Sequence, residues 1–364
     1  MLKEAAAGET RVAATPETVK KFIALGAEVA VEAGAGVTAS IADNDYAAAG
    51  AVVGDRTATL AGADIVLGIQ GPDPDSLGGT KPGAWIVAGL NPFGERARVD
   101  AYAAKGFEAL AMEFMPRITR AQSMDILSSQ SNLAGYKAVL VAANEYGRAF
   151  PMMMTAAGTV SAARAFIMGV GVAGLQAIAT ARRLGAQVSA TDVRSATREQ
   201  IMSLFVEKVA GIEGEGAGGY ATEMSEEYQK AQAELVSAHI AKQDIVITTA
   251  LIPGRAAPRL ISDAQIATMR SGSVIVDLAA ESGGNVEGCV AGETVVRHGV
   301  KIVGAKNMAG TLAADSSALF SRNLFNFLSA FWDKEANKPI LDEEIGDAIR
   351  LTQGGKVVNA RLLG

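Results

Sequence analysis

Three glycines near the middle of the chain have the spacing of a turn that binds a dinucleotide. Gly169, Gly171 and Gly174 form a G-x-G-x-x-G pattern. The first glycine permits a tight turn from strand to helix, the second lets the backbone approach a pyrophosphate, and the third lets helix and strand pack closely. Unpaired N–H groups at the start of the helix would donate to the phosphates. We expect Val170 and Val172, which lie between these glycines, to contact the cofactor as well.

An acidic residue follows at a distance suited to ribose recognition. Asp192 lies 23 residues after Gly169, at the end of a second predicted strand. A carboxylate there can accept hydrogen bonds from both ribose hydroxyls of NAD, and it would repel the 2′-phosphate of NADP. Arg194 could reduce that repulsion, so NAD is favoured and NADP is not excluded. Val193, between the two, is a further predicted contact to the cofactor.

The predicted elements around these glycines provide the context that the motif requires. The apolar run Ala165–Met168 is short enough for a buried parallel strand, and a helical pattern follows from Leu175 to Leu184. Gly185 can end that helix, and Gln187–Thr191 predicts a second strand. The alternative is a glycine-rich turn in an α/β core that binds nothing. The order strand, turn, helix, strand favours the nucleotide.

The composition is typical of a folded α/β protein. At 364 residues the chain is long for a single core, so two domains are expected, and 49% of the residues are hydrophobic. The net charge of −6 gives no reason to expect a nucleic acid partner. Cys289 is the single cysteine, and with only two histidines we expect no disulfide framework and no metal site. The longest uncharged stretch, residues 165–181, is too short and too rich in glycine to span a membrane.

Alternating strands and helices predict a parallel sheet with helices on both faces of the first domain. Thr15 can cap a helix that begins with Pro16 and ends near Gly26. Further elements predicted here are the strands Glu28–Val31, Asp64–Ile69, Ala84–Leu90 and Phe107–Met112 and the helix Glu95–Lys105. A domain of this kind normally begins with a strand, whereas only Met1 and Leu2 precede the charged residues.

The second domain is predicted to continue the same alternation after the glycine turn. The predicted elements are the strands Asp244–Thr248, Ser273–Leu278 and Val300–Val303 and the helices 225–242 and Asp263–Arg270. The sequence thus predicts the α/β class, with two Rossmann-like, doubly wound parallel-sheet domains joined by long helices at about 128–146 and 314–331. The predicted boundaries are 1–127 with 332–364 for the first domain, and 128–331 for the domain that binds NAD(H).

A polar segment, residues 115–132, separates the first predicted sheet from a long helix. It has little apolar periodicity. One interpretation is a loop that folds over a ligand and supplies donors and acceptors to a carboxamide or a ribose. The other is a solvated connection whose serines cap the helix. Residue types alone leave both open.

Several segments resemble the NAD(H)-binding component of proton-translocating nicotinamide nucleotide transhydrogenases. These segments are Arg117–Asp125, Asn132–Tyr136, Pro151–Thr159, the glycine turn, Gly218–Ala221 and Thr248–Gly254. The resemblance covers most of residues 8–330. The motifs Gly8–Ala13 and Thr15–Glu17 also fit the wider family that includes alanine dehydrogenase.

The resemblance implies roles for residues outside the glycine turn. Those that would surround the nicotinamide and its ribose and orient the ring are Arg117, Gln122, Asp125 and Ser128. Tyr220 would lie on a loop that closes over bound NAD(H), and Gly219, in the same loop, is expected to contact the cofactor. The residues that would line the crevice are Gln232, Thr249, Ala250 and Leu251.

The resemblance also implies partners. In that family the component is a homodimer, and it passes hydride directly to NADP(H) bound on a separate domain. A membrane-spanning domain couples this step to proton translocation, so the expected location is cytoplasmic and peripheral to the inner face of the membrane.

Alanine dehydrogenase is the alternative within the family, and it implies a substrate-binding lysine and a histidine after two of the first domain's strands. Gln70 and Gly89 occupy those places here, so no ammonium or imidazole is available to polarise an oxoacid carbonyl. A further alternative is a sensor that binds NAD and transfers nothing. The polar segment favours hydride transfer between two nicotinamides, which needs orientation more than acid–base groups.

Overall fold

The computed structural model describes residues 1–192, 236–252 and 254–363. Contacts divide the chain into a first unit, Met1–Gln130 with Ala309–Gly364, and a second unit, Ser131–Met308. The site predictions at Val193, Arg194, Gly219, Tyr220 and Gln232 lie outside the described residues, as does the helix predicted at 225–242.

The helices of the described residues are, in chain order, α1 (Pro16–Ala24), α2 (Asp43–Ala48), α3 (Arg56–Leu60), α4 (Arg96–Ala104), α5 (Ile126–Glu145), α6 (Val172–Arg183), α7 (Asp263–Ile266), α8 (Ala313–Ala330), α9 (Glu343–Ile349) and α10 (Ala360–Leu363). None of these helices combines the length and apolar character needed to cross a membrane.

The strands of the described residues are, in chain order, β1 (Ala30–Glu32), β2 (Val52–Gly54), β3 (Ile65–Gln70), β4 (Trp85–Gly89), β5 (Glu108–Ala111), β6 (Met153–Thr155), β7 (Gly158–Val160), β8 (Arg164–Met168), β9 (Gln187–Thr191), β10 (Ile245–Thr248), β11 (Val274–Asp277), β12 (Thr294–Arg297), β13 (Val300–Gly304), β14 (Trp332–Asp333), β15 (Lys338–Pro339), β16 (Thr352–Gln353) and β17 (Lys356–Val357).

The first unit is built on three parallel strands in the order β3–β4–β5, with β1 and β2 as a separate parallel pair. Ile86 and Val87 of the central strand are fully buried, as expected for a strand covered on both faces. The Met1 amino group donates to the Ala30 carbonyl at 2.7 Å, and the Glu32 amide donates to the Met1 carbonyl at 3.0 Å. The first residues therefore lie beside β1, where the sequence led us to expect a strand.

The second unit is built on a six-stranded sheet among the residues that the structure describes. Its strand order is β12–β13–β11–β10–β8–β9, and all neighbours are parallel except β12 and β13. The chain passes from β8 through α6 to β9 on one side and later adds β10 on the other side of β8. The carboxyl ends of β8 and β10 therefore meet at a topological switch point, where α/β sheets bind ligands.

The predicted strands and long helices of both units are observed with small shifts at their ends. The helix predicted at Asp263–Arg270 ends earlier, at Ile266, and the hairpin of β6 and β7 was not predicted. Contacts group residues from Ala309 onwards with the first unit, whereas the predicted boundary placed 128–331 in one nucleotide-binding domain. Which residues make up the domain that binds NAD(H) stays a prediction.

Candidate functional site

Gly169 and Gly174 allow a turn that a side chain would block. Gly169 follows β8 with a φ of +99°, in the left-handed region. A Cβ atom on Gly169 would lie 2.4 Å from the Thr249 hydroxyl oxygen, and a Cβ atom on Gly174 would lie 1.9 Å from the Gly169 carbonyl oxygen. Both glycines thus have the conformational role that their spacing predicts. Their contact with a cofactor stays a prediction.

The N-terminus of α6 is open to a phosphate among the described residues. Gly171 is the N-cap residue in an extended conformation, and no side chain caps the helix. The first amides of a helix have no partner within the helix, so they can donate to an anion. Val172 is 38% exposed at this end, whereas the Val170 side chain is buried in the core.

Asp192 is held beside the glycine turn. Its Oδ2 atom accepts a hydrogen bond of 2.5 Å from the Val170 amide, and the residue is half-buried at the end of β9. The backbone of the turn thus fixes the carboxylate next to the predicted pyrophosphate site. This geometry suits a group that accepts hydrogen bonds from ribose hydroxyls.

Gly135 brings α5 onto the first turn of α6 within the second unit. A Cβ atom at Gly135 would lie 2.0 Å from the carbonyl oxygen of Ala173. No side chain larger than hydrogen fits between the two backbones. Gly135 belongs to the segments that resemble the transhydrogenase family, but it was not predicted as a site residue.

The segment after β10 lies across the switch point from the glycine turn. The Thr249 amide donates to the Met168 carbonyl at 2.9 Å, and its hydroxyl lies 3.2 Å from the carbonyl oxygen of Gly169. Leu251 is 42% exposed and available to a ligand. Thr249, Ala250 and Leu251 therefore have positions consistent with a crevice lining.

Asn285 and Asp277 hold this segment, and the sequence did not reveal either. The buried Asn285 side chain accepts from the Ala250 amide at 3.0 Å and donates to the Ala250 and Pro258 carbonyls. The buried Asp277 carboxylate accepts from the Asn285 amide at 2.7 Å and from the Thr248 hydroxyl at 3.0 Å. Asp277 ends β11, which was the only available signal.

The polar segment of the first unit forms a 3-10 helix, Thr119–Met124, that leads into α5. Asp125 accepts hydrogen bonds from the Ser128 amide at 2.9 Å and from its hydroxyl at 2.6 Å. Both predicted nicotinamide contacts therefore also cap α5, as the structural interpretation of this segment expected.

Arg117 and Gln122 are exposed on the same segment. Within the described residues, the Gln122 side chain has no hydrogen-bond partner. Its amide can thus donate to or accept from a ligand without breaking an existing bond.

A buried ion pair occupies the carboxyl end of β3 in the first unit. Arg11 donates to Glu9 through Nε and Nη2, both at 2.7 Å, and Gln70 donates to Glu9 at 3.1 Å. Arg11 also donates to Gln130 at 2.9 Å. Burial raises the pKa of Glu9, but the hydrogen bonds and charge of Arg11 outweigh this effect and hold the pKa below its usual value.

Two further carboxyl groups occupy the backbone amides at the carboxyl ends of β3 and β4. Glu4 accepts from the Ile69 amide at 2.6 Å, and burial raises its pKa to about 7. Glu113 accepts from the amides of Leu90 and Asn91, and burial raises its pKa as well. Glu113 Oε2 is buried with no hydrogen-bond partner in the described residues. The chain's own acids thus fill this edge of the sheet.

Comparisons with known proteins match the whole chain to one family. The model of the alanine dehydrogenase/PNT N-terminal domain matches residues 1–134, and the C-terminal domain model matches residues 138–360. A curated relative from Rhodospirillum rubrum, the first of the separate chains that make up its NAD(P) transhydrogenase subunit alpha, is 52% identical over 100% of this chain and 98% of its own length.

Solved structures show the same fold. The crystal structure of transhydrogenase from Sinorhizobium meliloti superposes with a TM-score of 0.89 at 51% identity, over 98% of this chain and 99% of its own. An L-alanine dehydrogenase superposes with a TM-score of 0.79 at 24% identity, over 99% of this chain and 96% of its own. The predicted fold class of Rossmann-like α/β domains is confirmed. The chain belongs to the alanine dehydrogenase/PNT family of oxidoreductases.

Proposed function

We propose that this protein binds NAD(H) and transfers hydride between it and NADP(H) bound on a partner domain. The observation that carries the proposal is the contrast between the two units. The second unit has a glycine turn, an open helix N-terminus and a fixed carboxylate at its switch point. The first unit fills the corresponding edge of its sheet with its own carboxyl groups. The transhydrogenase relative at 52% identity supports the same function.

Each group of predicted residues has a role in this reaction. The glycine turn, Asp192 and the segment Thr249–Leu251 hold NAD(H). The residues that orient the nicotinamide are Arg117, Gln122, Asp125 and Ser128. Hydride transfer between two nicotinamides moves no separate proton, so it depends on proximity and orientation and needs no acid–base residue.

The proposed partners follow from the family. The NADP(H)-binding domain accepts or donates the hydride, and a membrane-spanning domain translocates protons, which places this chain at the inner face of the membrane. We further propose a homodimer, in support of which the β6–β7 hairpin exposes apolar side chains. Met152 is 62% exposed and Met154 is 77% exposed.

Stopped-flow measurement of hydride transfer from NADH to an NADP⁺ analogue tests the proposed function. The reaction is followed with and without a transhydrogenase NADP(H)-binding domain. We expect transfer only when that domain is present. No transfer in either case, with NADH oxidation by pyruvate and ammonia, would contradict the proposal and favour an alanine dehydrogenase.

A further inference from the structure

Asn323 links three elements of the first unit through one side chain. It lies on α8 and is 8% exposed. Its Nδ2 atom donates to the Ser123 carbonyl at 2.8 Å, and its Oδ1 atom accepts from the Ser129 hydroxyl at 2.7 Å. Both ends of the amide are therefore used, one on the 3-10 helix and one on α5.

Asn326 contacts the same carbonyl from the next turn of α8. Its Nδ2 atom donates to the Ser123 oxygen at 3.1 Å. Residues three positions apart lie on one face of a helix, so α8 presents two amide donors to a single acceptor. A carbonyl with two lone pairs can accept both hydrogen bonds.

These contacts fix the backbone on both sides of Gln122. On one side Ala121 is fully buried, and on the other the Ser123 carbonyl is held by the two asparagines. Beyond it, Met124 is 4% exposed. Gln122 is the exposed residue between these anchors. Its Cα atom therefore has little freedom, while its side chain remains available to a ligand.

We propose that Asn323, assisted by Asn326, is a positioning residue that aims the Gln122 amide at the nicotinamide. This inference rests on the proposed hydride transfer. Displacing a group that orients a reactant by about 1 Å can slow a reaction roughly 100-fold, because the productive geometry becomes rare. The asparagines touch no reacting atom and act through the Ser123 carbonyl.

The test compares Asn323→Asp with Asn326→Ala. Asn323→Asp keeps the side-chain shape and the acceptor for Ser129, but it faces the Ser123 carbonyl with an oxygen instead of a donor. We expect hydride transfer at saturating NADH to slow by about 10- to 100-fold, with the Kd for NADH changed less than about threefold. Asn326→Ala leaves the shorter bond and should slow transfer less. Hydrogen exchange of the loop amides should rise in the same order.

Asn359→Asp is the matched control. Asn359 is 3% exposed and donates to three carbonyls at the end of α9, away from the polar segment. It should lower thermal stability and leave the rate of transfer unchanged. Equal slowing in this control, or wild-type transfer in Asn323→Asp, would overturn the positioning role alone. Absence of transfer by the wild type with its partner domain would overturn the proposed function, and the positioning role with it.

Discussion

At the scale of single residues, Gln122 combines a fixed backbone with a free amide. Replacing Gln122 with Asn shortens the side chain by one methylene and keeps its chemistry. We expect hydride transfer in the presence of the partner domain to slow roughly 10-fold or more, while the Kd for NADH stays nearly unchanged. Single-turnover rates and fluorescence titration with NADH measure the two quantities.

The control for this replacement is Gln353→Asn, at an exposed position of β16 in the same unit. It should alter neither quantity. If NADH binding collapsed in Gln122→Asn and the rate per bound complex did not fall, Gln122 would hold the cofactor and not orient it.

Glu4 predicts a pH dependence of stability. Its folded pKa of about 7 lies above the usual 4.5, so the folded state binds more protons between these values. The stabilisation is therefore full below about pH 4.5 and is lost as the pH rises to about 7, by up to about 3 kcal/mol. Glu4→Gln should remove this contribution to the slope.

Urea denaturation between pH 5 and pH 8 measures the free energy of unfolding. Both tryptophans, Trp85 and Trp332, lie in the first unit, so their fluorescence reports on the unit that contains Glu4. Glu335→Gln, at an exposed position, should keep the wild-type slope. A Glu4→Gln variant with that same slope would show that Glu4 ionises normally in the folded protein.

The sequence predicted residues whose role depends on near neighbours and missed those whose partners are distant. The roles of Gly169 and Gly174 follow from a fixed spacing within one turn. Asn285 contacts Ala250, 35 residues away, and Asn323 contacts Ser129, 194 residues away. A single asparagine forms no local pattern, so only the folded chain reveals these two.

At the scale of elements, the contact between α5 and α6 determines where the phosphate-binding amides lie. Gly135→Ala would place a methyl group against the Ala173 carbonyl and push the helices apart. Such overpacking costs about 1–3 kcal/mol of stability. Because the displaced turn carries the predicted pyrophosphate site, we expect the Kd for NADH to rise several-fold, measured by calorimetry.

Gly147→Ala is the matched control in the same unit, since a Cβ atom there meets nothing within 4 Å. It should leave both stability and NADH binding close to those of the wild type. Unchanged NADH binding in Gly135→Ala would mean that the first turn of α6 does not contact the cofactor.

Elements with one buried face were predicted well, and an exposed one was missed. The predicted strand Ala84–Leu90 is observed as β4, Trp85–Gly89, because its continuous apolar run is buried. The hairpin of β6 and β7 is exposed along almost its whole length. It has no alternation between an apolar and a polar face, which is the pattern from which strands are predicted.

At the scale of the whole molecule, the same hairpin predicts the oligomeric state. Replacing Met152 and Met154 together with Ser removes two large exposed apolar side chains. If they are buried in the proposed homodimer, the dimer Kd should rise about 10- to 100-fold. Sedimentation velocity over a range of protein concentrations measures it.

Val52→Ser provides the comparison, because Val52 is 71% exposed on β2 of the other unit. This variant should sediment as the wild type does. A double methionine variant with wild-type sedimentation would exclude the hairpin from the interface.

The carboxyl groups that fill the edge of the first unit's sheet also change the electrical charge of the folded chain. The formal value of −6 counts every acid as ionised, whereas burial raises the pKa of both Glu4 and Glu113. Near neutral pH the folded protein therefore carries less negative charge than its sequence implies. Its isoelectric point lies above the sequence value of 5.2, its migration in native electrophoresis is slower, and unfolding near pH 6 releases protons from these two groups to the solvent.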